Sequence, residues 1–470
     1  MNRKDDHLIR REAAARLPAG VMVVALLSLV STIAVFAWPI ERPQGLRLWL
    51  TARMHHQLYE PSVATWNQSE IPPITMTLLS QEALQQRMLS AFLARTDVAE
   101  LLEVERRNAA RAFGGPLESV GFVDLTDRLR EEGLDTAINT ASFSPWSTRG
   151  RIFGLPHDVH PVMLGYRADI VEAAGIDVSQ IETWEDYVRV MSPLMGKRGA
   201  DGKPERYILN LWESHGDVVE VLMLQSGGGL FDQAGKLVID QETNARVISQ
   251  IVAWFSGPDR IAADAPYFSS AGNKLLLDGY VLASFLPDWM CNIWRYEIPQ
   301  LAGKVKLMPL PAWQRGGRRT SVWGGTMMGI SRTAPDIEAA WRFAKHLYLS
   351  PELARELYTR GDIITPVKTL WSDKIYDQPD AYFGNQPKGR LYINLAPDVP
   401  SRSSSPYGKL AMERVQSAVV NLHTYARAND KFSVEELLPE ARRLLAAAHA
   451  EVASHVNRNI FLAESAGGAQ

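Results

Sequence analysis

From Leu46 onward, short apolar runs are each followed by polar residues and then by a stretch of helical periodicity, and this order repeats along the chain. Such a pattern lets each strand be covered by the helix that follows it, which restricts the chain to an α/β fold with mostly parallel sheets. Residues 46–50 open the series, and residues 98–102 continue it. Residues 162–166 lead into a helix near Asp169 that stops at Gly175, a residue free to adopt a left-handed cap. At 470 residues the chain exceeds one ordinary core, so two lobes are expected.

Local signals place further elements. Thr183 and Asp186 form a capping-box variant opening a helix whose Tyr187, Val190, Met191 and Leu194 share one face. Asp232 and Gly235 predict a hairpin turn between Leu230-Phe231 and residues 237–239. Asp240 is expected to cap a helix with Val247, Ile248, Ile251, Val252 and Phe255 inward, ended by Gly257. Ile337, Ala340, Trp341 and Ala344 mark another amphipathic helix. Ser350-Pro351 starts a short one closed by Gly361, and a last long helix covers residues 434–456.

The amino end sets the compartment. Residues 20–38 are uncharged and strongly apolar, long enough to cross a hydrocarbon core of roughly 30 Å. The residues before this run carry a net +2, with Arg3, Lys4, Arg10, Arg11 and Arg16 against Asp5, Asp6 and Glu12. Positive flanks stay in the cytoplasm, so residues 1–19 read as a cytoplasmic segment and everything after Trp38 as exported. Two fates fit: an uncleaved anchor in the inner membrane with the body facing the periplasm, or a signal segment cut after Ala37. No cysteine follows the run, so lipid attachment there is excluded. The single Cys291 also excludes an intrachain disulfide and a multi-cysteine zinc site. A net charge of −3 with no long basic cluster offers nothing to nucleic acid.

Catalytic and cofactor motifs fail one by one. Gly235-Lys236 and Gly303-Lys304 are followed by Leu237 and Val305, not by the Ser or Thr of a phosphate-binding loop. The glycines at 227–229 miss the dinucleotide fingerprint because Asp232 stands where its third glycine belongs. No cofactor is expected, and no enzyme. What remains is a set of acids and aromatics near strand ends, where open α/β sheets receive ligands. Asp288-Trp289, Trp212-Glu213, and Glu103 with Glu105 fit that description. A carboxylate accepts sugar hydroxyls while an indole covers the C–H face of the ring. Trp323, Gly324 and Gly325 add an aromatic beside two glycines that permit close backbone approach. Most of the 13 tryptophans must nonetheless serve packing, since one pocket uses only a few.

Along residues 46–456 the chain resembles the family 1 extracellular solute-binding proteins of ABC importers, the maltose-binding-protein-like group. The resemblance is carried by RIFGLPHDVHPVMLGYRADIVEAAGIDVSQIETWEDY, then GYVLASFLPDW, then VWGGTMMGISRTAPDIEAAWRFAKHLYLSPELARELYTRGDIITPV. It implies two α/β lobes, residues 46–158 with 320–366 and residues 161–318 with 367–459, followed by a loose tail at 460–470. It also implies a cleft at the hinge, a small solute of carbohydrate type, and docking on permease subunits in the inner membrane. Carried over by position, the first lobe's contacts are residues 51–55, including His55, and Glu103. The hinge holds His157 and Asp158, and the second lobe offers Trp212, Glu213, Asp288 and Trp289. Trp323, Gly324 and Gly325 return to the first lobe, and residues 360–366 border the hinge. A membrane-anchored ligand sensor and a binder of a non-sugar solute are the alternatives of the same fold.

LPHDVH, residues 155–160, stands where this resemblance puts the first crossing between lobes. A metal ion there would need His157, Asp158 and His160 to converge, with His55 or His56, and would open the way to a metal-dependent hydrolase. Alternation in an extended segment puts His157 and His160 on opposite faces, so convergence requires a bend. Hydrogen bonding at a hinge or cleft, and plain packing, are the other readings.

Overall fold

The structure is a computed structural model and describes residues 19–37, 45–197, 199 and 202–463. The expected cytoplasmic residues 1–18, the residues around Trp38 and the tail from 464 lie outside the described residues. Ala19–Ala37 forms one helix, α1, whose side chains are described as far as Ile33 and are exposed. Among the described residues no helix is long and apolar enough to cross a membrane.

The body begins at Gly45. Three strand–helix units open it: β1 (Leu46–Leu50) with α2 (Arg53–Ser69), β2 (Ile74–Leu78) with α3 (Gln81–Ala94), and β3 (Leu101–Glu105) with α4 (Arg106–Arg111). After the short β4 (Leu155–Pro156) the chain leaves for a second sheet. That region holds β5 (Val162–Arg167), α5 (Trp184–Met191), β6 (Leu209–Asn210), α6 (Gly216–Gln225) and α7 (Glu242–Phe255). It continues through β7 (Ala262–Ala263), β8 (Ala283–Pro287), α8 (Asp288–Glu297) and β9 (Val305–Pro309). The chain then returns to the first sheet as β10 (Thr326–Ile330), followed by α9 (Ile337–Tyr348) and α10 (Pro351–Gly361). Helices α11 (Gly408–Ala428) and α12 (Val434–Val456) close the fold over the second sheet.

The first sheet has the order β2-β1-β3-β10-β4, and the second the order β8-β5-β9. Two lobes of α/β type are therefore present, but the sheets are not mostly parallel as expected. β1 runs parallel to β2 and β3, whereas β10 is antiparallel to β3 and β4. In the second sheet β5 is antiparallel to both neighbours. The alternation of strand and helix describes β8-α8-β9, a parallel unit, but not the strand that enters between them from the other lobe. Each sheet has its own apolar core: Leu48, Leu50, Ile330 and Trp341 in the first, Leu164, Ile251, Phe285 and Leu422 in the second. Each fully buried side chain of this size stabilises by ~1.5–3 kcal/mol.

The local signals are mostly realised. Both halves of the Thr183–Asp186 capping box are formed, and Ser350 accepts from the Leu353 amide at 3.1 Å. Phe231 pairs with Leu237 across the expected turn. Four details differ. β3 lies three residues later than expected, because the strand continues through the polar Glu103, which is buried and paired in register with Met328. Asp240 does not cap α7; Gln241 precedes the helix, and Asp240 is drawn 2.7 Å from His449 of α12. Gly361 is the last residue of α10, and Asp362 takes the left-handed turn at φ 59°. The expected loose tail begins with a helical turn, Ile460–Ala463.

Candidate functional site

Three segments, residues 157–161, 320–325 and 362–366, pass between the sheets side by side. The His157 amide donates to the Thr326 carbonyl at 3.0 Å, and the Val159 amide to Ile364 at 3.2 Å. The Trp323 amide donates to the His160 carbonyl at 3.3 Å, and Pro161 and Val322 form an antiparallel bridge. The crossing is thus a small backbone-bonded hinge with a polar interior.

The histidines of LPHDVH fill that interior, and their geometry corrects the expectation of opposite faces. His160 has φ 55°, a left-handed kink in the otherwise extended segment. The kink brings both rings to one carboxylate: His157 Nδ1 lies 3.1 Å and His160 Nε2 3.0 Å from Asp158 Oδ2. His160 Nδ1 reaches Asp288 Oδ1 of α8 at 2.7 Å, and the other oxygen of Asp288 accepts from the Ile364 amide at 2.8 Å. His160 therefore joins the first crossing to the second lobe. Burial alone would lower its pKa, but Asp158 and Asp288 prevail and raise it to about 10. Burial, with the His55 charge next, lowers that of His157. Among the described residues no group of three or more His, Cys, Asp or Glu side chains is arranged to hold a metal ion.

Glu103 forms a second buried cluster on the first-lobe side. Its oxygens meet His55 Nδ1 at 2.8 Å, Tyr59 OH at 2.6 Å and Tyr348 OH at 2.8 Å, and the His55 ring lies 4.4 Å from that of His157. Burial would raise the carboxyl, but the charge and hydrogen bond of His55 hold it down to about 2. The stability this depression supplies is complete above the ordinary value of 4.5 and is lost as pH falls towards 2. Circular-dichroism melts between pH 6 and pH 2.5 should therefore show the wild type losing stability in that window, and Glu103→Gln losing much less of it. Parallel losses in both would contradict the assignment.

The space between the lobes lies beyond the hinge. Gly324 and Gly325 have φ 116° and 129°, and a Cβ on Gly324 would come 2.6 Å from the His160 ring. These glycines border one hollow with Asp158, and a second, lined by Arg106, Glu220, Leu224 and Phe231, adjoins it. Both share Pro145 and Arg402. Their volumes are about 20 and 50 Å³ respectively, room for only a few waters at ~15 Å³ each. The lobes meet here through charge: Arg106, just after β3, pairs with Glu220 of α6, and Arg107 with Asp217. Burial opposes the Glu220 carboxylate, but Arg106 prevails and lowers its pKa.

The aromatic part of the site gathers around Trp289. Its Nε1 donates to the Trp323 carbonyl at 2.8 Å, and Phe268 stacks against it with centroids 6.1 Å apart. Phe268 is exposed and has φ 56°. Asp288 is fully buried within the hinge bonds described above.

Of the sequence-predicted residues, His157, Asp158, Asp288, Trp289, Trp323, Gly324 and Gly325 come together at the hinge and the adjoining hollow. His55 and Glu103 sit behind the hinge and are bonded to one another, with Tyr59 and Tyr348 also on Glu103. Trp212 and Glu213 are engaged by α11: Glu213 pairs with His423, and Trp212 packs on Phe255 and His423. Neither lines the two hollows. Arg106, Glu220, Phe268 and Arg402 were missed. Arg106 directly follows the acids singled out at the end of β3, whereas Arg402 lies in a serine-rich coil that carries no periodic signal.

Two lobes, a bonded three-segment hinge and a charged, aromatic cleft between them are the architecture of a protein that closes around a ligand. Residues 63–352 match the model of the bacterial extracellular solute-binding protein family, and the chain belongs to that family. An arabinooligosaccharide-binding protein of Halalkalibacterium halodurans is 22% identical over 352 residues, 73% of this chain and 76% of the relative. One from Bacillus subtilis is 23% identical over 369 residues, 76% of this chain and 82% of its own. Among solved structures, an extracellular solute-binding protein of family 1 superposes with TM-score 0.68 at 18% identity, over 87% of this chain and all (100%) of its own. The sugar-binding protein MalE from Xanthomonas citri superposes equally, TM-score 0.68 at 14% identity, over 86% and 98%.

Proposed function

We propose that this chain is the receiving subunit of an ABC importer, that it takes a sugar or oligosaccharide between its lobes, and that it delivers it to permease subunits in the inner membrane. The reading is carried by one observation: both lobes contribute charged groups to a cleft that a bonded hinge borders, with the Trp289–Phe268 pair beside it. Residues 46–158 with 320–366 form the first lobe, and residues 161–318 with 367–459 the second. The hollows are too small for a saccharide ring, so the Arg106–Glu220 and Arg107–Asp217 pairs part to admit it and the lobes close again over it. A ligand held by both lobes at once stabilises the closed state over the open one, and that difference shifts the population.

Trp289, Trp323, Gly324 and Gly325 form the ligand-facing wall, with His157, Asp158 and Asp288 fixing the hinge. His55 and Glu103 support that hinge from within the first lobe, and Trp212 and Glu213 belong to the second-lobe wall in the open form. The chain binds and does not catalyse. The uncharged apolar run of residues 20–38, with the basic residues before it, supports an anchor in the inner membrane with the body facing the periplasm. The names of the relatives, which bind arabino-oligosaccharides and other sugars, support the carbohydrate class.

Titration of the full-length chain in detergent micelles with an oligosaccharide panel, read by tryptophan fluorescence, tests the reading. One saccharide should give a saturable shift, and Trp289→Ala should weaken it about tenfold, or ~1.4 kcal/mol. Unchanged affinity in that variant would remove Trp289 from the site. A shift with non-sugar solutes alone would remove the saccharide.

A further inference from the structure

Arg402 is the least accounted-for charge in the cleft. It is 5% exposed and lines both hollows. Its backbone amide is fixed by Ser144 Oγ at 2.9 Å, and one Nη donates to the Gly324 carbonyl, which holds the guanidinium in the cleft wall. Its Nε is buried and has no hydrogen-bond partner. Among the described residues no carboxylate lies within ion-pair reach of it, because the acids nearby are taken. Glu220 pairs with Arg106, and Asp217 with Arg107. Glu105 stands 3.8 Å from Arg106 and accepts from the Arg107 amide at 2.9 Å as the cap of α4. Three guanidiniums thus face three carboxylates, yet all three carboxylates are bound to the other two. Burial, with repulsion by Arg106 next, pushes the Arg402 pKa down to about 9, the response of a cation lacking its counter-ion.

A second feature points the same way. The 21-residue α11 begins at this wall: Gly408 and Lys409 line the hollow, and the preceding Tyr407 supplies no side-chain cap. The positive end of a long helix, uncapped, adds to the field of a lone guanidinium and favours an anion. Ser403, Ser404 and Ser405 line the same wall with groups suited to ring hydroxyls.

On the saccharide-binding reading above, we infer that the solute is an acidic saccharide, a uronic acid or its short oligomer, whose carboxylate is received by Arg402 at the start of α11. Among the described residues the Arg402 guanidinium has no carboxylate within ion-pair reach and so has a place for one, and a planar carboxylate matches the guanidinium fork. A neutral sugar could satisfy the Nε hydrogen bond but would leave the charge buried and unpaired.

The test is calorimetric titration of the full-length chain in detergent micelles with short oligomers of galacturonate, glucuronate and mannuronate. Methyl esters of the same oligomers, together with arabinotriose and maltotriose, complete the panel. At least one uronate oligomer should bind about 30-fold more tightly than its ester. Arg402→Gln should erase that difference, with Arg402→Lys keeping part of it and both variants checked for wild-type melting without ligand. The acid-against-ester comparison needs no variant, so a misfolded Arg402→Gln leaves the inference exposed to test. Equal binding of acid and ester, or tighter binding of a neutral oligosaccharide, overturns the acidic inference and leaves the saccharide reading standing. Binding of no saccharide, acidic or neutral, overturns both.

Discussion

Lys388→Met should destabilise the body by about 3–5 kcal/mol. The Lys388 ammonium is 2% exposed and pairs with both Asp362 and Asp380, the latter at 2.9 Å. Arg295 completes the group, 2.8 Å from Asp380 and 3.4 Å from Asp362. Two cations and two anions balance, so the quartet as a whole need not stabilise much over apolar packing. Removing one cation is different, because it leaves two buried carboxylates sharing only Arg295. The loss also acts through position: Asp362 holds the left-handed turn that starts the third hinge segment, and Lys388 fastens that turn to the second lobe. Urea unfolding followed by circular dichroism measures the effect. A loss below about 1 kcal/mol would mean that the ammonium is not the partner of these acids.

The second large effect is expected at His160. Asn tolerates the left-handed backbone at this position but carries no charge, so His160→Asn separates the electrostatic role from the φ of 55°. Without the imidazolium, Asp158 and Asp288 face one another across the hinge, and a loss of roughly 3 kcal/mol is expected. The pH dependence follows from the sign of the shift. A pKa raised from 6.5 to about 10 supplies stability that is complete below pH 6.5 and is lost as pH rises through 10. Wild-type stability should therefore decline between those values, and His160→Asn should show a shallower decline from a lower start. Equal slopes would place the proton elsewhere.

How much of this was legible in the sequence depends on the range of the forces involved. Thr183–Asp186, Ser350-Pro351 and Ile337–Tyr348 were readable because caps and helical faces are decided within a few residues. Glu103 hid the extent of β3, since an apolar-run criterion stops at a polar residue whose partners, His55, Tyr59 and Tyr348, arrive from elsewhere in the chain. Asp240 was a sound local cap that α12 claimed through His449. Asp288-Trp289 and Trp212-Glu213 share one local pattern, an acid beside an indole, and only tertiary packing separates them. The first sits at the hinge, while α11 engages the second through His423. Arg402 had no signal at all, because its meaning comes from the carboxylates it lacks.

The central claim is that the solute is held between the lobes, and hydrogen exchange of the full-length chain with and without saturating saccharide tests it most directly. Added protection on binding should concentrate in residues 105–110, 216–225, 288–289, 323–325 and 402–409, which come from both lobes and the hinge. Protection confined to one lobe, or appearing around residues 117–124 on the outer face of the first, would contradict the account.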